Sequence, residues 1–384
     1  MKLYYWSPFF SNIATEKAVI NSIFSINKYS KAKISTSLIE VIGEWHSQKM
    51  NIDQKKINIK KLLKYNLIDF LPKYGFIRSR ISYLIFFLFS IFKLHRLLKT
   101  EKPDFLIIHL MTFIPLCLLM LFSYDTKFIL RISGYPRLNF LRTLFWQHVG
   151  KKIYLVTSPT KSTLDLLKEK KIFDEVKIKY LPDPIFEIRE IEKKKAEKNT
   201  IGNKISKDNT LISIGRLTKQ KNFKFLIKAF YELKKLYPNY NLCIVGEGEE
   251  RNILTEDIKK YKLEKKVFLT GYKSNVYDYL KNCKALILPS LWEDPGFVLV
   301  EAGFMNKTII SSDCPNSPCE LLENGKNGFL FQSNNIDSFI KTFSEMESSD
   351  NETILSKKIS YKKKIREFTM YNHFKILNKL INER

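Results

Sequence analysis

Strand-length apolar runs alternate with helix-length amphipathic stretches along almost the whole chain. In the first half the strand-like runs are KLYYW, DFLIIHL, KFILRIS, KIYLVTS and KIKYLPD, with helical stretches such as ATEKAVINSIFSINKYS between them. The second half repeats the pattern more cleanly: TLISIG, YNLCIVG, KVFLTG, ALILPS and TIISSD alternate with NFKFLIKAFYELKKLY, EERNILTEDIKKY and VYDYLKNC. Regular β–α alternation predicts an α/β fold with parallel sheets. At 384 residues the chain exceeds one ordinary core and suits two. Between 186 and 209 the sequence becomes EIREIEKKKAEKNTIGNKISKDN, charged and nearly free of large apolar side chains, which predicts a linker or hinge, or a solvated helix within one. The expected organisation is therefore a domain over 1–185, a hinge over 186–209, a second domain over 210–355 and a helical tail over 356–384. Two Rossmann-like domains would face a central cleft, with ligands seated at the carboxyl ends of the strands.

Charge narrows the choice of ligand. Lys plus Arg total 65 against 39 Asp plus Glu, a formal net charge of +26. Such a chain is drawn to polyanions: nucleic acid, an anionic membrane surface or phosphorylated ligands. No recognisable nucleic-acid motif accompanies the charge, so a nucleic-acid-binding reading rests on charge alone. The five cysteines show no C-x-x-C pair and no histidine at zinc-like spacing; Cys243 and Cys283 lie in apolar runs as small buried residues, and a reducing cytoplasm is expected. The N-terminus lacks the apolar core and cleavage site of a signal peptide. Two apolar stretches, ISYLIFFLFSIF (81–92) and MTFIPLCLLMLF (111–122), are too short to span a bilayer. The second reads as a buried helix after a strand. The first has basic flanks and suits either a core helix or an interfacial helix on anionic lipid, so peripheral attachment to the inner face of the cell membrane is expected rather than spanning.

The chemistry concentrates in WEDPGFVLVEAG, residues 292–303. ALILPS ends in a loop, Pro295 and Gly296 turn the chain, and a helix is predicted to start near Phe297. The first N–H groups of a helix have no intrahelical partner and carry the positive end of its dipole, so a helix start after glycine is a ready seat for phosphate. Glu301 follows Phe297 by about one helical turn, where a carboxylate can accept hydrogen bonds from sugar hydroxyls. Glu293 precedes the helix and would face the other end of the ligand. In order, the stretch describes a hydroxyl-rich group, a diphosphate and a second hydroxyl-rich group: a nucleotide sugar. SIGRLTKQKN adds Gly215, Arg216 at a strand tip and Lys221 at the start of the next helix, two cations able to neutralise a diphosphate leaving group. VGEGEER places Gly246 in a tight strand-to-helix turn.

Together these motifs, with VFLTGY and SSDCPNSPCELLENGKNGFLF, resemble the family 4 retaining glycosyltransferases of the GT-B fold over about residues 210–332. The resemblance implies that Arg216 and Lys221 hold the donor diphosphate, with the amides of Gly296, Phe297 and Val298 completing the phosphate seat, Glu301 the ribose, and Glu293 the donor hexose near the reacting carbon. It implies a C-terminal helix that returns to the N-terminal domain. It implies transfer from a nucleotide sugar, a UDP-sugar above all, to a saccharide or lipid-linked saccharide in polysaccharide, lipopolysaccharide or capsule assembly. No D-x-D motif is evident, so no cofactor or divalent ion is expected. The N-terminal half matches less well. Ser11, Asn12 and Ala14 stand where glycines usually approach the phosphates, and SerGly at 133–134 aligns with a position that is often histidine. On this side Ser11, Asn12, His109, and either Arg131 or Ser133 are the candidates. Asn306 replaces the glycine usual before the next strand. A GT-B sugar-nucleotide epimerase is the alternative, separable because its proton-transfer residues and motif context differ.

Overall fold

The computed structural model describes residues 1–10, 14–68, 71, 76–197 and 209–383. The chain divides into two compact units, Met1–Pro184 with Met370–Arg384, and Ile185–Thr369. The strands are β1 (Lys2–Trp6), β2 (Ser35–Glu40), β3 (Ile59–Lys61), β4 (Phe105–Ile108), β5 (Lys127–Arg131), β6 (Leu155–Ser158) and β7 (Ile178–Tyr180) in the first unit, and β8 (Thr210–Ile214), β9 (Asn241–Val245), β10 (Val267–Leu269), β11 (Ala285–Leu288), β12 (Thr308–Ser312) and β13 (Phe329–Phe331) in the second. The helices between them are α1 (Ala14–Tyr29), α2 (Lys49–Gln54), α3 (Phe76–Glu101), α4 (Phe113–Leu121), α5 (Phe140–Gly150), α6 (Lys161–Glu169), α7 (Ile188–Ala196), α8 (Phe223–Leu236), α9 (Arg251–Lys260), α10 (Val276–Lys281), α11 (Phe297–Phe304), α12 (Ser317–Leu321), α13 (Ile336–Ser348), α14 (Asn351–Lys364) and α15 (Met370–Asn382).

All paired strands run parallel. The first sheet has the order β3-β2-β1-β4-β5-β6-β7 and the second β10-β9-β8-β11-β12-β13. Each is a doubly wound sheet whose strand order reverses once, between β1 and β4 in the first unit and between β8 and β11 in the second. Central strands such as β4, β8 and β11 are buried at every residue, because helices cover both faces of a parallel sheet; their sequences are correspondingly apolar runs rather than alternations.

Two expectations about the joints are corrected. Residues 188–196 are not a free hinge: α7 packs on α10 within the second unit, and its one apolar anchor, Ile191, is buried. The stretch 356–384 is not one tail. Residues 356–364 belong to α14 in the second unit, whereas α15 joins the first unit and packs on α1, burying Leu377, Leu380 and Ile381. The return of the C-terminal helix to the N-terminal domain is thus present. His373 fixes it in place. Its Nδ1 donates to the carbonyl of Pro182 at 2.7 Å, leaving Nε2 to accept from Ser22, which in turn accepts from the Tyr5 hydroxyl at 2.7 Å.

The apolar segment 81–92 lies inside the 26-residue α3, which carries a buried stripe and an exposed apolar stripe. Phe86, Ser90 and Leu94 are buried on the sheet, while Tyr83, Leu84, Leu88 and Phe92 face outward. Among the described residues no helix is long and apolar enough to cross a membrane. Cys243 and Cys283 are buried as expected, and all five cysteines are free thiols. Asn306 has φ +55°, a left-handed turn residue that asparagine tolerates better than most side chains, so the departure from glycine keeps the turn.

Candidate active site

The second unit gathers its candidate residues at the carboxyl ends of β8, β9 and β11, on both sides of the point where strand order reverses. That point is where the loops of neighbouring strands part and leave a crevice for a ligand. After β8 the chain runs through Gly215 and the exposed Arg216, then a short 3-10 turn that carries Lys221. After β11 it runs through Ser290 and Glu293 to Gly296, and α11 begins at Phe297 as expected. Gly296 caps that helix with φ +70°, a conformation that side chains rarely adopt.

Lys221 and Glu293 meet as an ion pair, the lysine mostly and the carboxylate almost wholly buried. The same carboxylate oxygen accepts from the Ser290 hydroxyl at 2.5 Å, and the Ser290 carbonyl accepts from Ser312 of β12 at 2.6 Å. Gln220 ties the two loops together: its backbone carbonyl accepts from Leu291 N–H at 2.8 Å and its side chain donates to the carbonyl of Trp292 at 2.9 Å. The reason for Gly215 is the lysine. A Cβ there would lie 2.9 Å from Lys221 Cε, so the glycine leaves a slot for the stem. Gly246 is required more strictly, since its Cβ would stand 1.9 Å from the carbonyl oxygen of Gly215. Arg216 forms no ion pair among the described residues, so its guanidinium is available to an anion.

Glu301 projects from the second turn of α11 and is largely buried. It accepts from the Tyr277 hydroxyl of α10 at 3.1 Å. Burial first, and then the neighbouring Glu301 charge, push the Tyr277 hydroxyl far above the ordinary phenol range, so it remains a donor to that carboxylate. Sequence reasoning missed Ser290, Tyr277 and Ser312. Ser290 stands three residues before Glu293 and could have been suspected; nothing local in the sequence brings Tyr277 to a residue 24 positions away.

In the first unit the candidates fare unevenly. Ser11 and Asn12 lie outside the described residues. Arg131 is buried at the end of β5, donating to the carbonyl of Leu181 and to Asp183 Oδ1, both at 2.6 Å, while its Nε has no hydrogen-bond partner among the described residues. Its charge ties β5 to the segment after β7. Ser133 follows β5 and its hydroxyl is buried without a hydrogen-bond partner among the described residues. His109 follows β4, stacks on Tyr5, and has a buried Nδ1 likewise unpartnered. Burial first, then the Arg131 charge, hold His109 well below the usual imidazole range, so it is neutral. The Ser7 hydroxyl beyond β1 is a third orphan of this kind. Buried polar groups are rarely left unpaired without a reason, and three at the ends of adjacent strands mark a place where hydroxyls or water belong.

Residues 194–366 match the family model of the glycosyl transferases group 1. An uncharacterized glycosyltransferase of Methanocaldococcus jannaschii is 30% identical over 248 residues, 60% of this chain and 61% of that protein. A Campylobacter jejuni protein named as an N-acetylgalactosamine-N,N'-diacetylbacillosaminyl-diphospho-undecaprenol 4-alpha-N-acetylgalactosaminyltransferase is 32% identical over 144 residues, 38% of this chain and 39% of that protein. The matched stretches therefore span less than two thirds of either relative's length. In fold, the crystal structure of Anabaena HepE in complex with UDP superposes with a TM-score of 0.73 over 99% of both chains at 14% identity. The chain has the GT-B architecture of two parallel-sheet Rossmann-like domains, and its second domain matches the family model of the group 1 glycosyl transferases.

Proposed function

We propose that this protein is a retaining glycosyltransferase that moves a hexose or amino-hexose from a UDP-sugar to a saccharide or lipid-linked saccharide, in polysaccharide, lipopolysaccharide or capsule assembly. The observation that carries this reading is the pairing of Glu293 with Lys221 at the mouth of the β8–β11 crevice, with Glu301 one turn into the helix that opens there. The diphosphate lies against the α11 N-terminus and Arg216, Glu301 takes the ribose hydroxyls, and Glu293 with Lys221 borders the hexose. The acceptor oxygen forms a bond to the anomeric carbon on the face from which the diphosphate departs. As the carbon–oxygen bond to phosphate breaks, the acceptor proton passes to the departing phosphate oxygen, so no separate base is needed. Arg216, Lys221 and the helix start hold the charge that develops, an electrostatic contribution fixed before the reaction begins. Neither a divalent ion nor a cofactor is invoked. The UDP complex of HepE and the undecaprenol-linked substrate in the name of the Campylobacter relative support donor and acceptor class respectively. Work on a lipid-linked acceptor places the protein peripherally on the cytoplasmic face of the cell membrane.

The test is a screen of UDP-sugars with extracted lipid-linked saccharides in the presence of a metal chelator. UDP release that depends on acceptor, with an α-configured product from an α-linked donor by NMR, is the expected result. An inverted product would refute retention, and transfer abolished by the chelator would refute metal independence.

A further inference from the structure

Among the described residues of the first unit, a group of exposed large apolar side chains lies on three consecutive helices. Leu84, Leu88 and Phe92 of α3, Phe113 of α4, and Phe140 and Leu141 of α5 are each more than half exposed. The three helices form one surface, because Phe113 packs at 6.1 Å against Phe87 of α3 and at 5.4 Å against Phe145 of α5. An apolar groove of about 670 Å³ opens on it, lined in part by Leu84, Phe87, Ile114 and Arg142. A contiguous exposed apolar patch of this kind marks an interaction surface.

Charge identifies the partner. The sequence carries no Asp or Glu over 82–100, over 109–124, or over 126–164, while Lys93, Arg96, Arg137, Arg142 and Lys151 fall within those stretches and are exposed. A protein partner would ordinarily be met by a rim of both signs. Apolar side chains on stretches whose only charges are basic match the hydrocarbon boundary and the anionic headgroups of a lipid leaflet. We infer that the α3–α4–α5 face docks on the surface of an anionic bilayer, with Leu84, Leu88, Phe92, Phe113, Phe140 and Leu141 entering the headgroup–acyl boundary. The inference deepens the reading of a peripheral, lipid-linked acceptor enzyme, but lipid binding is measured without any transfer.

The experiment is flotation of the full chain with phosphatidylcholine vesicles, with and without about 30% phosphatidylglycerol. Binding to the anionic vesicles should exceed binding to the neutral ones at least about tenfold and should fall with added salt. Phe92→Glu and Leu141→Glu, on different helices and both at exposed positions, should each reduce vesicle binding about tenfold while leaving the urea midpoint and nucleotide binding unchanged. Failure to float with anionic vesicles would overturn the inference. So would undiminished binding in both variants, or a concentration-dependent dimer that both variants abolish, which would assign the face to a second copy. None of these outcomes touches the donor site, whose nucleotide binding is read separately.

Discussion

The Lys221 ammonium and the Glu293 carboxylate, 72 residues apart in sequence, form an ion pair at the junction of β8 and β11. Each loop would be free to move without the other. Joined, they hold a cation and a carboxylate at the point where the second sheet reverses its strand order. Removing one partner leaves the other charged and nearly dry, which typically costs about 3–5 kcal/mol, whereas removing both costs much less than the sum. Lys221→Met and Glu293→Gln should therefore each lower stability in urea, with a coupling of more than about 1 kcal/mol in the double variant. The two should differ in ligand behaviour: Lys221→Met weakens nucleotide binding, while Glu293→Gln keeps binding and loses transfer.

The two glycines behind this pair should respond differently to alanine. At Gly246 the added Cβ meets rigid backbone, the Gly215 carbonyl, at 1.9 Å. At Gly215 it meets the flexible end of Lys221. Gly246→Ala should lower stability by several kcal/mol or prevent folding. Gly215→Ala should still fold, with a loss no greater than that of Lys221→Met, and should displace Lys221, so that nucleotide affinity falls about tenfold or more. Calorimetric unfolding beside nucleotide titration separates the two outcomes.

Arg131 and Asp183 are a second buried pair, and their role is to hold the first unit together. Arg131→Met leaves Asp183 without its cation in a site that is almost completely buried. A loss of about 3–5 kcal/mol is expected, with nucleotide binding by the second unit preserved once the protein is folded. A variant of full stability that loses only acceptor turnover would return Arg131 to the acceptor side.

Acid should destabilise the first unit through His373. Burial first, and then the nearby Arg131 charge, lower its folded pKa from 6.5 to about 3. The unfolded chain therefore takes up the proton before the folded one. Stability from this residue is complete above pH 6.5 and is lost as the pH falls toward 3, amounting to about 2 kcal/mol by pH 5. Glu44 works in the opposite sense: burial raises its carboxyl to about 7, so its contribution is present below 4.5 and is lost as the pH rises through 7. The comparison that isolates His373 is thus the pH 7 to pH 5 difference in urea midpoint for wild type and for His373→Asn. The variant should start lower, and between pH 7 and pH 5 its stability should fall less, or rise more, than that of wild type by about 2 kcal/mol. Parallel losses in both proteins would show that the proton goes elsewhere.

Both sheets were legible in the sequence wherever strands are apolar runs, as in β4, β5, β8, β9 and β11. β2 was not, because its sequence STSLIE opens on three hydroxyl residues that are nevertheless carried into the sheet by pairing with β1. β3 and β13, of three residues each, were not read as strands either. The α11 boundaries and the spacing of Glu293 and Glu301 could be read directly, since a turn, a cap and a helix start are local signals. Arg131 could not be placed: a cation at a strand end looks solvent-facing until Asp183, 52 residues on, closes over it. The exposed stripe of α3 was half visible, for its apolar content was plain, but which residues the sheet would cover depended on the packing of α4 and the first sheet.

The measurement closest to the centre of this reading is the thermal stability of the intact chain with UDP, GDP, ADP or TDP. It should be repeated with Arg216→Ala and with Glu301→Gln, which keeps an acceptor for Tyr277. At about a hundred times its dissociation constant, a nucleotide bound only to the folded state adds about 2.7 kcal/mol, a readily visible shift. UDP should raise the unfolding temperature more than the other three, and both variants should diminish the rise. No shift with any of the four, or an undiminished shift in both variants, would contradict a nucleoside diphosphate site built from Arg216, Glu301 and the start of α11.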